Sequence, residues 1–329
     1  MKIPEAERIF AIEDKADFER CAMELFRYQS AANPVYRDYL AYLGRDPLKV
    51  RSLSDLPFLP IGFFKTHRVL SGDQLPELLF ESSGTTGDQS SKHYVTDPEL
   101  YLKSLTRGFE RVYGPPSDWC ILALLPSYLE KGNSSLVYMM EQLMKLSGHP
   151  DNGFYLNEPS SLHAILEKRR ADAFPVMLVG VSYALLDLAA DYHGKMPEGI
   201  VVMETGGMKG RRKEMIRSEL HELLKKAFDC GEIHSEYGMT ELLSQAYSTG
   251  HQLFETPPWM KVLIRDSYDP FSLVAEGQTG GINVIDLANI HSCAFIATSD
   301  LGRILPDGRF EVLGRFDQAE VRGCNLMVS

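Results

Sequence analysis

Hydroxyls and glycines crowd the six residues Ser82, Ser83, Gly84, Thr85, Thr86 and Gly87. Glycine lets backbone come close to an anion, and hydroxyls with exposed N–H groups then donate to its oxygens, so the segment suits a phosphate group. It follows the apolar run Leu78-Leu79-Phe80, which reads as the end of a strand, where ligands collect in α/β proteins. It is not a Walker A loop: the next lysine, Lys92, stands five residues beyond Gly87 rather than directly after it. A solvated surface loop has the same composition, so other segments must decide.

The second candidate is Glu236 to Glu241, after the short apolar strand Glu232-Ile233-His234. Tyr237 could stack on a base, Gly238 allows close approach, Thr240 could touch a phosphate and Glu241 could hold Mg²⁺. The plainer alternative is a strand-to-helix turn with Thr240 as N-cap. Thr298 to Gly302, containing Asp300, and Gly314 to Asp317, containing Arg315, are two further turns. Their aspartate and arginine either bind ribose hydroxyls or close turns of a β meander.

The elements that must position these residues are legible in outline. Phe18, Cys21, Ala22, Leu25 and Phe26 share one face of an N-terminal helix, stopped at Asn33-Pro34. A proline-rich connector follows, and Asp97-Pro98 caps a helix with Tyr101, Leu105, Phe109 and Val112 on its apolar side. Strands over 119–125, 176–179 and 199–203 alternate with helices over 134–146, 183–192 and 209–228, a pattern of parallel strands joined by crossover helices. After Leu242, short strands over 260–264, 281–285, 295–298 and 310–313 predict a smaller β-rich subdomain. The expected division is a helical region over 1–55, an α/β nucleotide-binding core over 56–245, the β-rich part over 246–317 and a tail over 318–329.

With 329 residues, 44% hydrophobic and 24% charged, the chain can bury a sizeable core. Its net charge of −11 argues against nucleic acid as a partner. No apolar run long enough to span a membrane and no signal sequence is present, which predicts a cytoplasmic protein. Five scattered cysteines, Cys21, Cys120, Cys230, Cys293 and Cys324, fit neither a disulfide framework nor a zinc site. Four lie in apolar surroundings and read as inert thiols, whereas Cys324 follows Arg322-Gly323 close to the end.

Taken in order, the four segments resemble the core motifs of the adenylate-forming superfamily of acyl-CoA ligases. Within it, the stretch from Glu81 to His93, the segment Leu125 to Glu130 and the ending Val321-Arg322-Gly323-Cys324 resemble the acyl-protein synthetases (LuxE-like) of bacterial fatty-acid reductase complexes. The resemblance runs from about Pro57 to the end. It implies an α/β fold with mixed and parallel sheets flanked by helices, and ATP and Mg²⁺ as cofactors. It also implies that Ser82 to Gly87 cradle the β- and γ-phosphates, Tyr237 stacks on adenine, Thr240 touches the α-phosphate and Glu241 helps hold Mg²⁺. Asp300 would bind the ribose hydroxyls with Arg315 assisting, Gly206 and Gly207 would let backbone approach the adenine edge, and His93 would assist at the carboxylate or phosphate or be a plain core or loop histidine. The pattern departs from the superfamily in one respect: only twelve residues follow Asp317, where relatives carry a mobile C-terminal lid domain with an adenylation lysine. Lys65, Lys92 and Lys209 are the candidates for a replacement.

An acyl-adenylate wants a nucleophile stronger than water, and a thiolate serves. From Asp317 to Cys324 the chain spans at most roughly 23–25 Å, enough to fold back over Asp300 and Arg315, and Arg322 would favour the thiolate. The opposed reading packs Cys324 into a last strand. Three functions follow. The first is an acyl-protein synthetase that activates a carboxylic acid, with a fatty acid preferred, loads it on Cys324 and delivers it to a reductase or carrier partner. The second is a stand-alone ligase acting on coenzyme A or a carrier thiol, with Cys324 structural. The third is a degenerate nucleotide-binding protein. Tyr128, Met139, Met140, Met203 and Met208 are acid-pocket candidates that serve equally as core.

Overall fold

Continuous apolar runs become fully buried strands. Cys120–Leu124 and Val176–Gly180 are buried at every position, as expected where helices cover both faces of a parallel sheet. The computed structural model describes residues 3–82, 89–126, 132–172, 174–206 and 215–316. These fall into two units, one drawn from 1–104, 240–244 and 255–329, the other from 105–239 and 245–254. Both are discontinuous in sequence, so the segment after Tyr237 contributes to each.

The second unit holds a six-stranded sheet in the order Gly153–Phe154, Cys120–Leu124, Val176–Gly180, Val201–Glu204, His234–Tyr237, Ala246–Ser248. Neighbours are parallel except the last pair. The helices Ser135–Ser147 and Ser182–Asp191 lie where the alternation predicts them, whereas the helix expected from residue 209 begins among the described residues at Arg217, with Ile216 extended at its N-cap, and runs to Phe228. Ser134 caps the first of these through Val137 N–H, and it ends at Gly148 with φ 65°, a left-handed stop that glycine adopts without strain. A fourth helix, Pro159–Asp172, has no counterpart in the sequence reading. Its inward positions are Leu162, Leu166 and Arg169, and a buried arginine breaks the apolar stripe that would have marked it.

The first unit is built on a sheet in which Met260–Arg265, Gly280–Asp286 and Phe295–Ile304 form an antiparallel meander. Phe310–Arg315 pairs antiparallel with the far half of Phe295–Ile304, and Leu59–Pro60 pairs parallel with its near half. The strand expected to stop at Thr298 runs on to Ile304, so Asp300 lies in a strand and not at a turn. The polar Thr298 is accommodated because its hydroxyl donates to Ile282 O and accepts from Asp300 N–H, with a bulge at Leu301/Gly302 absorbing the irregularity. Buried Arg265 donates to Ile282 O, Asn283 Oδ1 and Thr298 O, and a Cβ at Gly281 would collide with its guanidinium. A separate ribbon pairs Leu78–Glu81 with Lys92–Val95.

The helices Lys15–Ala32 and Pro34–Tyr42 are joined to this sheet through two buried amides. Gln29 donates to Asn289 O at 2.8 Å and Ile290 O at 3.0 Å while accepting from Ala294 N–H at 2.9 Å. Asn33 caps the second helix through Tyr36 N–H and donates to Ser292 O and Ser71 Oγ. Around them Phe26, Tyr36, Phe58 and Phe295 pack edge-to-face and stacked. Among the described residues no helix is long and apolar enough to cross a membrane.

Replacing Gln29 by Leu strands one N–H and two carbonyls in a buried site, where each unmet group costs about 1–3 kcal/mol. Gln29→Leu is expected to lower unfolding stability by about 3 kcal/mol or more, read from the urea midpoint against wild type; an unchanged midpoint would show that this amide does not tie the N-terminal helices to the sheet.

Candidate functional site

In the first unit the stalks of the glycine-rich segment are fixed across the ribbon. Ser82 N–H donates to Ser91 O at 3.0 Å, and Ser91 N–H donates to Ser82 Oγ at 2.8 Å. Ser83, Gly84, Thr85, Thr86 and Gly87 lie outside the described residues, as do Gly207, Cys324, Asp317, Tyr128, Met208 and Lys209.

On the partner strand of the ribbon, His93 is 1% exposed. Its Nδ1 faces Thr240 O at 2.8 Å; a carbonyl only accepts, so the proton is assigned to Nδ1. Burial pulls the ring's pKa down to about 4, against the raising effect of Thr240 and Asn289. His93 is therefore a neutral group that positions Thr240 through its backbone.

The segment 240–244 is held from three sides. Asn289 Nδ2 donates to Glu241 O at 2.8 Å. Asp286, fully buried, accepts from Leu243 N–H, Ser244 N–H and Ser244 Oγ, as well as from Ala288 N–H. Burial pushes the Asp286 carboxyl up and these donors pull it down, with burial the larger influence. No helix starts at Thr240: the chain turns and returns as the antiparallel strand Ala246–Ser248, so the N-cap alternative does not hold.

Glu241, 4% exposed, has its carboxyl raised by burial, with a Ser91 hydrogen bond opposing and the charges of Asp300 and Arg315 both felt. Asp300 and Arg315 face each other as partners across adjacent strands. Thus Ser82, His93, Thr240, Glu241, Asp300 and Arg315, scattered over more than two hundred residues of sequence, belong to one connected region of the first unit. Ser91, Asp286 and Asn289 belong with them and were not singled out from sequence. Asp286 and Asn289 act on backbone far away in the chain and Ser91 on the distant Glu241 carboxyl, roles that leave no local pattern.

Tyr237, Gly238 and Gly206 belong to the second unit. The Tyr237 ring meets Phe254 edge-on at 5.9 Å, and the Arg217 guanidinium lies 5.2 Å over the same Phe254. Gly206 has φ 77° and donates its N–H to Glu204 Oε2 at 2.7 Å. Glu204 is the hub here: Arg217 Nε stands 2.8 Å from it, Ser235 Oγ donates to it at 2.9 Å and His221 Nε2 is 3.7 Å away. Burial would raise its pKa, but Arg217 and His221 with Ser235 bring it down to about 2. Among the described residues the neighbouring Glu236 has no such cation; burial first, and Glu204 second, lift it to about 8. Glu204 carried a signal that the sequence reading passed over, an acid closing an apolar run, with only Thr205 between it and Gly206-Gly207. Arg217 and His221, four apart on one helix, were its available partners.

Four cysteines are described. Cys21, Cys120 and Cys293 are buried and Cys230 half-buried. Burial raises all four thiols, Cys120 and Cys293 to about 12, so none is a ready thiolate. Of the candidate lysines, Lys92 pairs with Glu81 at 3.7 Å, and Lys65 sits in the short helix Phe63–Thr66. Met139, Met140 and Met203 are core residues of the second unit.

Among the described residues no group of three or more His, Cys, Asp or Glu side chains could hold a metal. A single buried carboxylate beside hydroxyls, as at Glu241, still fits Mg²⁺, which takes one or two carboxylates and completes its shell with phosphate and water.

A family model described as acyl-protein synthetase, LuxE, matches residues 10–329. Among solved structures, ATP-bound MatB from Rhodopseudomonas palustris aligns with TM-score 0.55 at 15% identity, covering 72% of this chain and 47% of that one. The chain thus spans about half the length of that structure. An open conformation of 2-hydroxyisobutyryl-CoA ligase in complex with 2-HIB-AMP and CoA aligns with TM-score 0.67 at 13% identity, covering 96% and 75%. A luciferase-like enzyme from the nonluminescent Zophobas morio mealworm gives 0.52 at 16%, covering 78% and 62%. At such identities the likeness is one of fold, and it agrees with the expected α/β architecture of mixed sheets flanked by helices. No curated protein matches.

Removing the cation from a buried ion pair leaves an uncompensated charge, typically costing about 3–5 kcal/mol. Arg217→Met is expected to lose stability on that scale at pH 7. A carboxylate held below its ordinary pKa of 4.5 stabilises the fold above that pH and ceases to do so as pH falls towards its folded value of about 2. The wild-type advantage should therefore shrink between pH 4.5 and 2, as read by urea unfolding across that range; a constant advantage would exclude the ion pair as its source.

Proposed function

Because the chain belongs to the acyl-protein synthetase, LuxE, family, we propose that it couples ATP to the activation of a carboxylic acid as an acyl-adenylate and then carries the acyl group on Cys324. In the first step a carboxylate oxygen attacks the α-phosphorus of ATP, the α–β phosphoanhydride bond breaks and pyrophosphate leaves. In the second the Cys324 thiolate attacks the acyl carbonyl and AMP leaves. The thioester keeps the acyl group activated for delivery to a partner, which the reading takes to be a fatty-acid or acyl-CoA reductase or a carrier protein.

The observation that carries this reading is the meeting of Thr240, Glu241, Asp300 and Arg315 in one region of the first unit. Asp300 accepts hydrogen bonds from ribose hydroxyls in this scheme, with Arg315 beside it. Thr240 Oγ1 donates to the α-phosphate, its position set by the His93 bond to its own carbonyl. Held by Glu241 and the phosphates, Mg²⁺ would supply positive charge against the phosphate oxygens. Ser82 to Gly87 cradle the outer phosphates, and Tyr237 with Gly206, Gly207 and Gly238 receives the adenine. Three of the four described cysteines are buried and partial burial raises the thiol of the fourth, Cys230, so no ready thiolate stands among the described residues, which favours Cys324 as nucleophile. The acid is taken as aliphatic and fatty in type, in keeping with the reductase complexes of the family.

Intact-mass analysis after incubation with Mg·ATP and a panel of fatty and aryl acids tests the scheme. Wild type is expected to gain an acyl mass that hydroxylamine removes, and Cys324→Ala to gain none while still exchanging pyrophosphate into ATP. No adduct on wild type, with AMP released only when coenzyme A or a carrier thiol is added, would overturn the cysteine step and leave a stand-alone ligase.

A further inference from the structure

Glu241 stands between two fixed points of its own segment. On one side His93 Nδ1 donates to Thr240 O at 2.8 Å, and on the other Asp286 gathers Leu243 N–H, Ser244 N–H and Ser244 Oγ. The Glu241 carbonyl lies between these anchors, and Asn289 Nδ2 donates to it at 2.8 Å. Because a carbonyl only accepts, this bond fixes which way the Asn289 amide is turned. Its Oδ1 is then left without a hydrogen-bond partner among the described residues, although Asn289 is fully buried. The Asn289 side chain favours a proton on the His93 ring, but burial keeps that ring neutral, with its pKa near 4.

A half-used amide in the interior is expensive, since an unmet buried acceptor costs about 1–3 kcal/mol. The turn does not need it as an anchor. His93 and Asp286 already tie the segment at both ends, so what Asn289 adds is the orientation of the Glu241 peptide. The other end of the same residue is held too. Ser91, 4% exposed, hydrogen-bonds the Glu241 carboxyl. It precedes the strand Lys92–Val95 directly, and with His93 it occupies alternate positions of an extended chain, which face one side. One edge thus meets two successive residues, His93 at the Thr240 carbonyl and Ser91 at the Glu241 carboxyl. Ser91 is itself fixed through its backbone, its N–H donating to Ser82 Oγ at 2.8 Å and its carbonyl accepting from Ser82 N–H at 3.0 Å.

We infer that Asn289 and Ser91 are positioning residues for Glu241, one holding its backbone and the other its carboxyl, and that together they set how strongly ATP binding depends on Mg²⁺. This rests on the reading that Glu241 helps hold Mg²⁺. A carboxylate that must find its direction when a cation arrives loses affinity to that ordering, whereas one already held does not. Groups that orient a metal-binding side chain typically contribute about 10–100-fold to metal affinity.

The test is calorimetric titration of the full chain with ATP, in EDTA and over a series of Mg²⁺ concentrations, with no acid present so that binding alone is read. Wild type is expected to bind ATP more tightly as Mg²⁺ is added. Asn289→Leu and Ser91→Ala are each expected to raise the Mg²⁺ concentration for half-maximal effect by about tenfold or more, while leaving the affinity in EDTA within about twofold of wild type. General loosening of the fold would weaken binding in both conditions alike. That result, or an unmoved Mg²⁺ requirement in either variant, overturns the inference. If Asn289→Leu does not fold, Ser91→Ala decides alone, because it leaves the backbone bonds to Ser82 available. Glu241→Gln separates the two levels of the argument: it is expected to raise the Mg²⁺ requirement as well. A Glu241→Gln variant as dependent on Mg²⁺ as wild type, or a wild type indifferent to Mg²⁺, overturns the reading of Glu241 and the inference with it.

Discussion

The connected region of the first unit depends on the Asp286 carboxylate. It is buried beyond solvent, and four donors converge on it, three of them from Leu243 and Ser244. Those residues follow Thr240 and Glu241 with only Leu242 between and form no regular structure of their own. A turn with unpaired N–H groups in a protein interior would cost about 1–3 kcal/mol per group; one acceptor meeting two of them and a hydroxyl converts an unfavourable loop into a fixed one. Asn289, three residues past Asp286, then takes the Glu241 carbonyl, and His93 takes that of Thr240. Gln29 and Asn33 bind the backbone of the 289–294 stretch from the other side, so the N-terminal helices support the same loop.

The second unit answers a different electrostatic problem. Two carboxylates are buried close together, and they cannot both be ionised cheaply at pH 7. Among the described residues Arg217 and His221 settle the matter by position: they sit against Glu204 and not against Glu236. One acid is thereby fixed as a charged structural hub that orders the Gly206 turn, and the other as a neutral group. The two acids are on adjacent strands, so among the described residues the asymmetry comes from helix Arg217–Phe228 and the four-residue spacing of its cation and imidazole.

Much of this architecture could be seen in the sequence, for definite physical reasons. A buried parallel strand must be apolar throughout, so Cys120–Leu124 and Val176–Gly180 announced themselves, and the Asp97 cap of the next helix was legible because capping is local, Leu100 N–H donating to it at 3.0 Å. Glycine and hydroxyl motifs were equally local. What escaped was decided by contacts over long stretches of chain. Asp300 looked like a turn residue because its neighbours are polar, yet Thr298 meets its own hydrogen bonds inside the strand. Thr240 looked like an N-cap because the type is right, whereas Asp286 and His93, 46 residues ahead and 147 behind it, dictate a different turn. Helix Pro159–Asp172 was hidden because Arg169, an interior position, satisfies its charge with Asp151 and Asp172.

The same burial that stabilises the fold also restricts which thiol can act as the proposed acyl carrier. A nucleophilic cysteine needs access and a low pKa, and both are lost on entering an apolar interior. Cys120 stands in the most buried strand and Cys293 behind the Gln29 and Asn33 amides, each with its thiol lifted to about 12. Exposing either would mean opening the core around it, for Cys120 its own strand and for Cys293 the stretch just before Phe295–Ile304, the strand that carries Asp300. A carrier thiol compatible with this fold has to lie outside both sheets, on chain that can move without disturbing Asp286 and its donors. The sequence after Phe310–Arg315, the last described strand of the first unit, contains one cysteine, Cys324, and it is the thiol that the proposal takes as carrier.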